Sequence, residues 1–488
     1  MFSTLTERTL TYAVGLILLR LLVSLAKSVR LREALFLIAS YLFYLSWGPW
    51  FLAVLIFSSL VNYALGRYLR QRLTSGRLWL GIAFNLVVLS FFKYLPAAGG
   101  FFAQTPAVAW LSQIILPLGI SFWSFQAISY LFDLYREEEL DPTLLEFCLY
   151  MAFWPTVLSG PICRLPEMLP QFRQPVVLSW DDIGKGTQRV LTGVFMMALS
   201  QIMANGPAPG QGVDAGFERD AHLLGGADVW CLAIGYGFQL FFNFAGYSHL
   251  VIGAARIFSI HLQENFERPY LSTTPSMFWT RWHISLSFWI RDYVFFPLAT
   301  LRSEIWWRNL SLVIAMFVFG LWHKGAVLYM MWGLYQGLLL VLHRQWQRLQ
   351  LHGNTRLLEN LYTVFSWAIT FAAVTLGWIL FRGESRGQAA TMFRTILSPA
   401  RYSQFALPLN FYRLTSFAMI GYFAVLAVAA FLDRQAKAGQ SGTSRLLAVL
   451  ARDRWVWTVP IVLVLSLYLL LVLRPQGPLV GPMMYRIF

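Results

Sequence analysis

Two histidines lead the reading of this sequence, because each sits where an imidazole is expensive unless it is used. In "GLWHKGA", Gly320 to Ala326, His323 and Lys324 interrupt an almost unbroken apolar run from Leu310 to Leu342. Leu310 to Trp322 is thirteen uncharged residues, which as helix rise about 20 Å, short of the roughly 30 Å thickness of a bilayer's hydrocarbon. The run from Gly325 to Leu342 is long enough to return to the Arg344 side. The two arms therefore read as a hairpin meeting around Trp322 and His323. An ionisable group at that depth faces a water-filled cavity or the protein interior and is functional by default, so His323 is a candidate general base. The structural alternative is a neutral imidazole hydrogen-bonded between packed helices. Lys324 would snorkel toward a wet cavity.

The second constellation is "FWTRWHISLSFWIRDYVFFPL", Phe278 to Leu298. Read as one helix, His283, Ser287 and Arg291 fall at i, i+4 and i+8 and make a polar stripe, while Trp282, Leu286, Trp289 and Tyr293 make an aromatic one. Arg281, His283, Arg291 and Asp292 could not all meet lipid cheaply. The segment is therefore either a re-entrant helix lining a polar cavity or an amphipathic helix on the cytosolic surface. A third stretch, "FFNFAGYSHL" (Phe241 to Leu250), sets Asn243, Tyr247, Ser248 and His249 in an apolar run and is expected to line the same interior. His222, His261, His343 and His352 fall in loops or at helix ends. The three cysteines, Cys148, Cys163 and Cys231, lie apart from one another and from the histidines, without metal-ligand spacing. No Gly-rich phosphate loop, G-x-S-x-G elbow or H-E-x-x-H occurs, which removes support for nucleotide hydrolysis, a serine hydrolase or a zinc protease. No metal is called for.

The elements that must hold these groups are membrane helices. Of 488 residues 57% are hydrophobic, 17% aromatic and 12% charged, where soluble chains carry about 25% charged residues; the mean hydropathy is +0.56. Apolar stretches recur throughout, among them Thr9 to Ala26, Leu78 to Phe92, Tyr362 to Phe381, Leu414 to Leu432 and Trp455 to Leu473. They predict an all-α polytopic membrane protein of about eleven or twelve transmembrane helices, with re-entrant or interfacial helices besides. The net charge of +15 forms no single patch, so nucleic acid is not an expected partner. Lys27, Arg30 and Arg32, then Arg67, Arg70, Arg72 and Arg77, mark connections that the positive-inside rule makes cytosolic, placing the N-terminus outside. The first apolar run lacks a small-residue cleavage site and reads as a retained helix. Residues 1–95 read as four plain scaffold helices, 116–385 as the chemical core and 412–488 as C-terminal helices, all in one membrane domain; loops at Asn205 to Asp228 and Arg382 to Arg413 lie between spans.

At these residues the sequence resembles the membrane-bound O-acyltransferase (MBOAT) family, in its bacterial branch of alginate O-acetylation proteins and D-alanyl-lipoteichoic acid exporters. "LPLGISFWSFQAISYLFDLYR" (Leu116 to Arg136), "FWPTVLSGPICR" (Phe153 to Arg164), "FQLFFNFAGYSHLVIGAARIF" (Phe238 to Phe258), "ENFERPYLSTTPSMFWTRWHISLSFWIRDYVFFPL" (Glu264 to Leu298), "GLWHKGA" and "LGWILFRGES" occur in the family's order. The resemblance implies helices ringed around a central funnel, with His323 and His283 as the catalytic histidines. It implies Trp282, Ser285, Ser287, Arg291, Asp292, Trp322, Lys324, Asn243 and Tyr247 as supporting or substrate-binding residues. It further implies an acyl group, acetyl above all, passed from a cytosolic thioester, acetyl-CoA or an acyl carrier, with no bound cofactor. A periplasmic SGNH-type transferase then places it on an exported polysaccharide, and the chain is a multi-pass protein of the bacterial inner membrane. A D-alanyl or lipid acyltransferase of the same family, and a transporter that merely passes the donor, are the competing readings. Three positions depart from the family's usual residues: Lys324 follows the histidine where Gly is common, Asn243 and His249 replace aspartates, and Gln336 stands for histidine in "WGLYQG".

Overall fold

The computed structural model describes residues 2–96, 114–137, 139–175, 179–206, 208, 210–348 and 356–438. Among them no strand forms; one isolated antiparallel bridge joins Phe266 to Trp282. Six of the described helices are long and apolar enough to cross a membrane. The chain is an all-α polytopic membrane protein. The expected span Trp455 to Leu473 lies outside the described residues. The chain packs as two compact units, Met1–Gly186 with Val251–Gln263, and Thr187–Leu250 with Glu264–Phe488.

In the first unit the four scaffold helices form as the apolar runs require: α1 (Phe2–Leu25), α2 (Val29–Leu45), α3 (Pro49–Gln71) and α4 (Ser75–Lys93). Pro49 stands at the first helical position of α3, where its missing N–H has no intrahelical partner to lose. Within the apolar pair α3 and α4, the buried side chains of Asn62 and Asn85 donate to each other at 3.1 and 2.7 Å. Each amide also donates to a carbonyl four residues back. Both helices approach α5 (Ile120–Tyr135) closely, because Gly66 and Gly81 leave no room for a Cβ beside Tyr130 and Leu131. Two short helices follow, α6 (Leu144–Ala152) and α7 (Leu165–Arg173). Glu146 makes two connections: it completes a capping box with Thr143 at the start of α6 and accepts from Arg173 at 2.6 and 3.0 Å.

The second unit contains most of α8 (Trp180–Asn205), the short α9 (Val213–Glu218) and most of α10 (Gly226–Ile257). After α10 come α11 (Pro275–Trp279), α12 (Ile284–Ile290), a π turn at Arg291–Phe295 and α13 (Phe296–Ala299). Then α14 (Ile305–Lys324), α15 (Val327–Gln347), α16 (Arg356–Arg382), α17 (Arg386–Leu397) and α18 (Leu409–Ala438) complete the described chain. The expected hairpin of 310–342 is α14 and α15. Gly325 ends α14 in the left-handed conformation (φ 66°), which lets the chain reverse within two residues. The arms touch backbone to backbone, since a Cβ on Gly320 would lie 3.1 Å from Gly333 Cα, and one on Gly337 would lie 3.0 Å from Val313 Cα. The two expected loops are fastened by one fully buried carboxylate. Asp228 accepts from the N–H of Gly225 and Ala406, both at 2.8 Å, from Leu407 N–H at 3.2 Å and from the Tyr412 hydroxyl.

Candidate active site

His323 is the penultimate residue of α14 and is 6% exposed. α14 begins before the apolar run, at Ile305, but its first turn is Trp306, Trp307 and Arg308, residue types of the bilayer interface. The apolar part still starts near Leu310, and His323 stands about 20 Å along it. Aromatic rings enclose the imidazole. Phe319, one turn back, is stacked on it with centroids 5.2 Å apart and planes at 28°. Trp322 lies at 4.7 Å, Phe381 of α16 meets it edge-on at 4.9 Å, and Trp332 and Tyr329 of α15 follow at 5.5 and 6.0 Å. The glycine crossing makes this possible, because only a close α14–α15 contact brings Trp332 within reach. The neighbouring Lys324 is exposed.

The expected single helix from Phe278 to Leu298 is not what forms. Helix α11 stops at Trp279, and His283 adopts a left-handed conformation, φ 43° and ψ 54°, before α12 starts. After Ile290 the π turn changes the angular phase again. The polar stripe is therefore broken: His283 is 5% exposed, whereas the Arg291 side chain is 45% exposed and binds Asp292 through Nε at 2.7 Å. The cause lies in an outside segment. Residues 265–267 run alongside 281–285, with Glu267 N–H donating to Arg281 O at 2.9 Å and Ile284 N–H to Asn265 O at 2.9 Å. Asn265 Oδ1 accepts from Ser285 N at 3.1 Å and Oγ at 2.9 Å, and its Nδ2 donates to Ser248 Oγ at 3.3 Å. The His283 ring lies 6.2 Å from those of Phe244 and Phe266. Burial pushes its pKa down to about 4, so the imidazole is neutral at pH 7.

A chain of ring contacts connects the surroundings of the two histidines. Trp332 touches Trp279 at 5.8 Å, Phe381 touches Trp378 at 5.8 Å, and Trp378 touches Trp282 at 5.1 Å. Trp282 is itself stacked on Phe278 at 5.4 Å and 20°. Beside this wall is a mostly apolar cavity of about 200 Å³ whose lining includes Trp279, Ser287, Arg291, Met316, Phe319 and Leu340. Phe319 thus belongs to both the cavity wall and the His323 cage. Ser287 Oγ donates to Trp282 O at 3.0 Å. On α10, Asn243 and Tyr247 are half-buried four residues apart, and Ser248 reaches the His283 surroundings through Asn265. His249 is held elsewhere: its Nδ1 accepts from Arg189 Nε at 3.3 Å, while the Arg189 guanidinium also grips both carboxylate oxygens of Glu264.

The profile of the MBOAT, membrane-bound O-acyltransferase, family matches residues 36–382. The "Probable alginate O-acetylase AlgI" of Pseudomonas putida is 33% identical over 386 residues, covering 76% of this chain and 75% of that protein. The peptidoglycan O-acetyltransferase of Helicobacter pylori is 31% identical, covering 73% and 72%. The teichoic acid D-alanyltransferase of Streptococcus thermophilus is 30% identical over 57% and 71%. The chain belongs to the membrane-bound O-acyltransferase family. It is an acyltransferase, and the MBOAT motifs divide between its two units, with Leu116 to Arg136 and Phe153 to Arg164 in the first and both candidate histidines in the second.

Within this MBOAT chain the departures from the usual family residues acquire places. Gln336 is 1% exposed on α15, one turn beyond Trp332, and its Nε2 lies 2.6 Å from where a Cβ on Gly377 of α16 would stand. His249 is the acceptor of the Arg189 hydrogen bond. Sequence reasoning missed Asn265, although it falls inside a quoted motif, and missed the cage rings Phe319, Trp332 and Phe381. Their types were ordinary for a membrane helix; the available signals were the i, i+4 spacing of Phe319 to His323 and the presence of Trp332 and Phe381 in the quoted strings "WGLYQG" and "LGWILFRGES".

Proposed function

We propose that this protein passes an acyl group, acetyl by preference, from a cytosolic thioester such as acetyl-CoA or an acyl carrier toward a hydroxyl of an exported polysaccharide. His323 is the general base. The setting is the inner membrane of a bacterium, with a periplasmic SGNH-type transferase as the partner that completes delivery to the glycan. The observation that carries this reading is His323 itself, an imidazole enclosed by five aromatic rings at the turn of a glycine-packed hairpin, one ring away from a cavity.

The chemistry asks little more of the protein than that. A thioester carbonyl is already activated, so the hydroxyl oxygen needs only to be positioned and deprotonated as it attacks. Its proton passes to His323, the C–O bond forms, and the tetrahedral oxyanion collapses with cleavage of the C–S bond. The leaving thiolate takes the proton back from the imidazolium, which returns His323 to its starting state. A ring clamped between Phe319 and Trp332 keeps one orientation through both proton transfers, and apolar walls strengthen any dipole that meets the oxyanion. Arg291 is engaged by Asp292, which makes it a poor free cation for that task; the neutral His283 is the better donor. The relatives support acetyl as the group carried, since two are named for O-acetylation and one for D-alanyl transfer.

The test uses purified protein in proteoliposomes with acetyl-labelled acetyl-CoA, comparing wild type with His323→Ala at equal amounts of monodisperse protein. Loss of thioester consumption by about 10³-fold or more is the expected result. Unchanged consumption in the variant removes His323 as the base, and transport of intact donor without cleavage in both proteins would replace an enzyme by a transporter.

A further inference from the structure

We propose that Asn265 is a positioning residue for His283: it caps helix α12 from a separate segment and thereby holds His283 in the left-handed conformation that aims its ring. This rests on the reading of His283 as part of the acyl-transfer site.

The argument starts from what a helix start requires. The first four N–H groups of a helix have no intrahelical acceptor, and the residue at the N-cap ordinarily supplies one with its own side chain, accepting from the second or third helical N–H. At α12 the N-cap residue is His283, and its side chain makes no cap hydrogen bond. The work is done from eighteen residues away. The Asn265 carbonyl accepts from Ile284 N–H, the first helical donor, at 2.9 Å. Asn265 Oδ1 accepts from Ser285 N–H, the second, at 3.1 Å, and from Ser285 Oγ at 2.9 Å. The amide is fixed in this orientation because its Nδ2 donates to Ser248 Oγ at 3.3 Å. Asn265 is 2% exposed, so bulk water does not reach these groups.

The same clamp explains the backbone at His283. A non-glycine residue at φ 43° is strained and persists only where its surroundings over-determine it. Here they do on both sides. Trp282 is bridged to Phe266 and Arg281 O accepts from Glu267 N–H, while Ile284 and Ser285 are held by Asn265. With both neighbours fixed, the Cα–Cβ bond of His283 has one direction, which carries the ring toward Phe244 and Phe266. Asn265→Ala keeps the backbone carbonyl on Ile284 N–H but frees Ser285 N–H and Oγ, so the hold on the C-terminal side of the strained residue slackens and the imidazole can rotate out of place while Trp282 remains packed on Phe278 and Trp378.

Four proteins, reconstituted together and assayed with acetyl-CoA, decide the matter: Asn265→Ala, Asn265→Asp, His283→Ala and the Asn265→Ala/His283→Ala double variant. Asn265→Ala should lower kcat by about 10²-fold, the scale of a 1 Å misplacement, with KM little changed. Asn265→Asp keeps Oδ1 as acceptor, and the Ser248 hydroxyl can turn to donate to the second oxygen, so most of the rate should return. In the His283→Ala background the Asn265→Ala change should add no further loss, since a residue acting through another has nothing left to act on. A purely structural role would give equal losses in both backgrounds and overturns the proposal, as does a fully active Asn265→Ala. A fully active His283→Ala instead overturns the reading of His283 on which the proposal stands. Should Asn265→Ala fail to give a monodisperse protein, Ser285→Ala takes its place: it deletes one of the two donors to Oδ1 and should lower kcat by several-fold, and an unchanged kcat overturns the clamp.

Discussion

The glycine crossing of α14 and α15 offers the sharpest test, because one methyl group placed there must open the His323 cage. In Gly320→Ala the new Cβ would run into the Tyr329 carbonyl oxygen and lie 3.1 Å from Gly333 Cα and N. These are backbone atoms, which cannot swing aside. Optimal separations are about 3.5 Å, so α14 and α15 must part by about 1 Å. Overpacking of this kind costs about 1–3 kcal/mol, which for a chain of this size corresponds to roughly 1–3 °C in the melting midpoint. The damage is local to the chemistry: His323 is three residues after Gly320, and Trp332, whose ring stands 5.5 Å from the imidazole, is next to Gly333. A shift of about 1 Å there should lower acyl transfer by about 10²-fold. The control is Gly421→Ala on α18, where a Cβ meets nothing within 4 Å; its midpoint and rate should match or exceed the wild type. Midpoints are read by size-exclusion of heated detergent-solubilised protein, at one scan rate because such unfolding is irreversible, and rates by acetyl-CoA consumption. A Gly320→Ala protein with wild-type midpoint and wild-type rate refutes the packing argument. One that melts early yet transfers at the full rate per folded molecule would detach catalysis from the cage.

Glu146 predicts a pH dependence in the first unit. Burial alone would raise its carboxyl pKa, but the hydrogen bonds from Arg173 and Thr143 outweigh it and hold the pKa below the usual value. A depressed carboxylate stabilises above its unfolded pKa of about 4.3 and loses that contribution as pH falls through the folded value. Glu146→Gln should therefore melt lower at pH 7, by about 1–3 kcal/mol given that Arg173 is half-exposed, with the gap to wild type closing on acidification below about pH 4; a gap independent of pH would reject the assignment. For Asp228, replacement by Ala strips acceptors from three backbone N–H groups and the Tyr412 hydroxyl. It should make 218–225 and 401–407 readily cut in limited proteolysis while leaving the surroundings of His283 and His323 intact, and an unchanged digestion pattern counts against the clamp.

What the sequence disclosed and what it withheld follow from the range of the forces involved. The α14–α15 hairpin was legible because its signals are local: an apolar run, a polar break at His323 and Lys324, and a glycine placed where a left-handed helix end needs one. The family was legible because its motifs are contiguous strings. The Phe278 to Leu298 segment was misread for the opposite reason. Its periodicity is helical, and nothing in the residue type of His283 announces a positive φ; that conformation is imposed by Asn265, eighteen positions upstream, through hydrogen bonds no local pattern encodes. Standing before α12 with positive φ, His283 is out of phase with that helix, which is why it is buried and Arg291 exposed although their spacing of eight puts them on one face of an ideal helix; the π turn then shifts the side chains after Arg291. Phe381 is more remote still, reaching His323 from α16 across 58 positions of sequence. The residues that carry reactive groups were thus visible by type, whereas those that aim them were not. Asn265, Gly320 and Gly333 bear no distinctive chemistry of their own, and each matters only through the backbone it brings near. Long-range geometry of this kind places a base or donor within tenths of an ångström, and it is there that mutation should separate folding from catalysis.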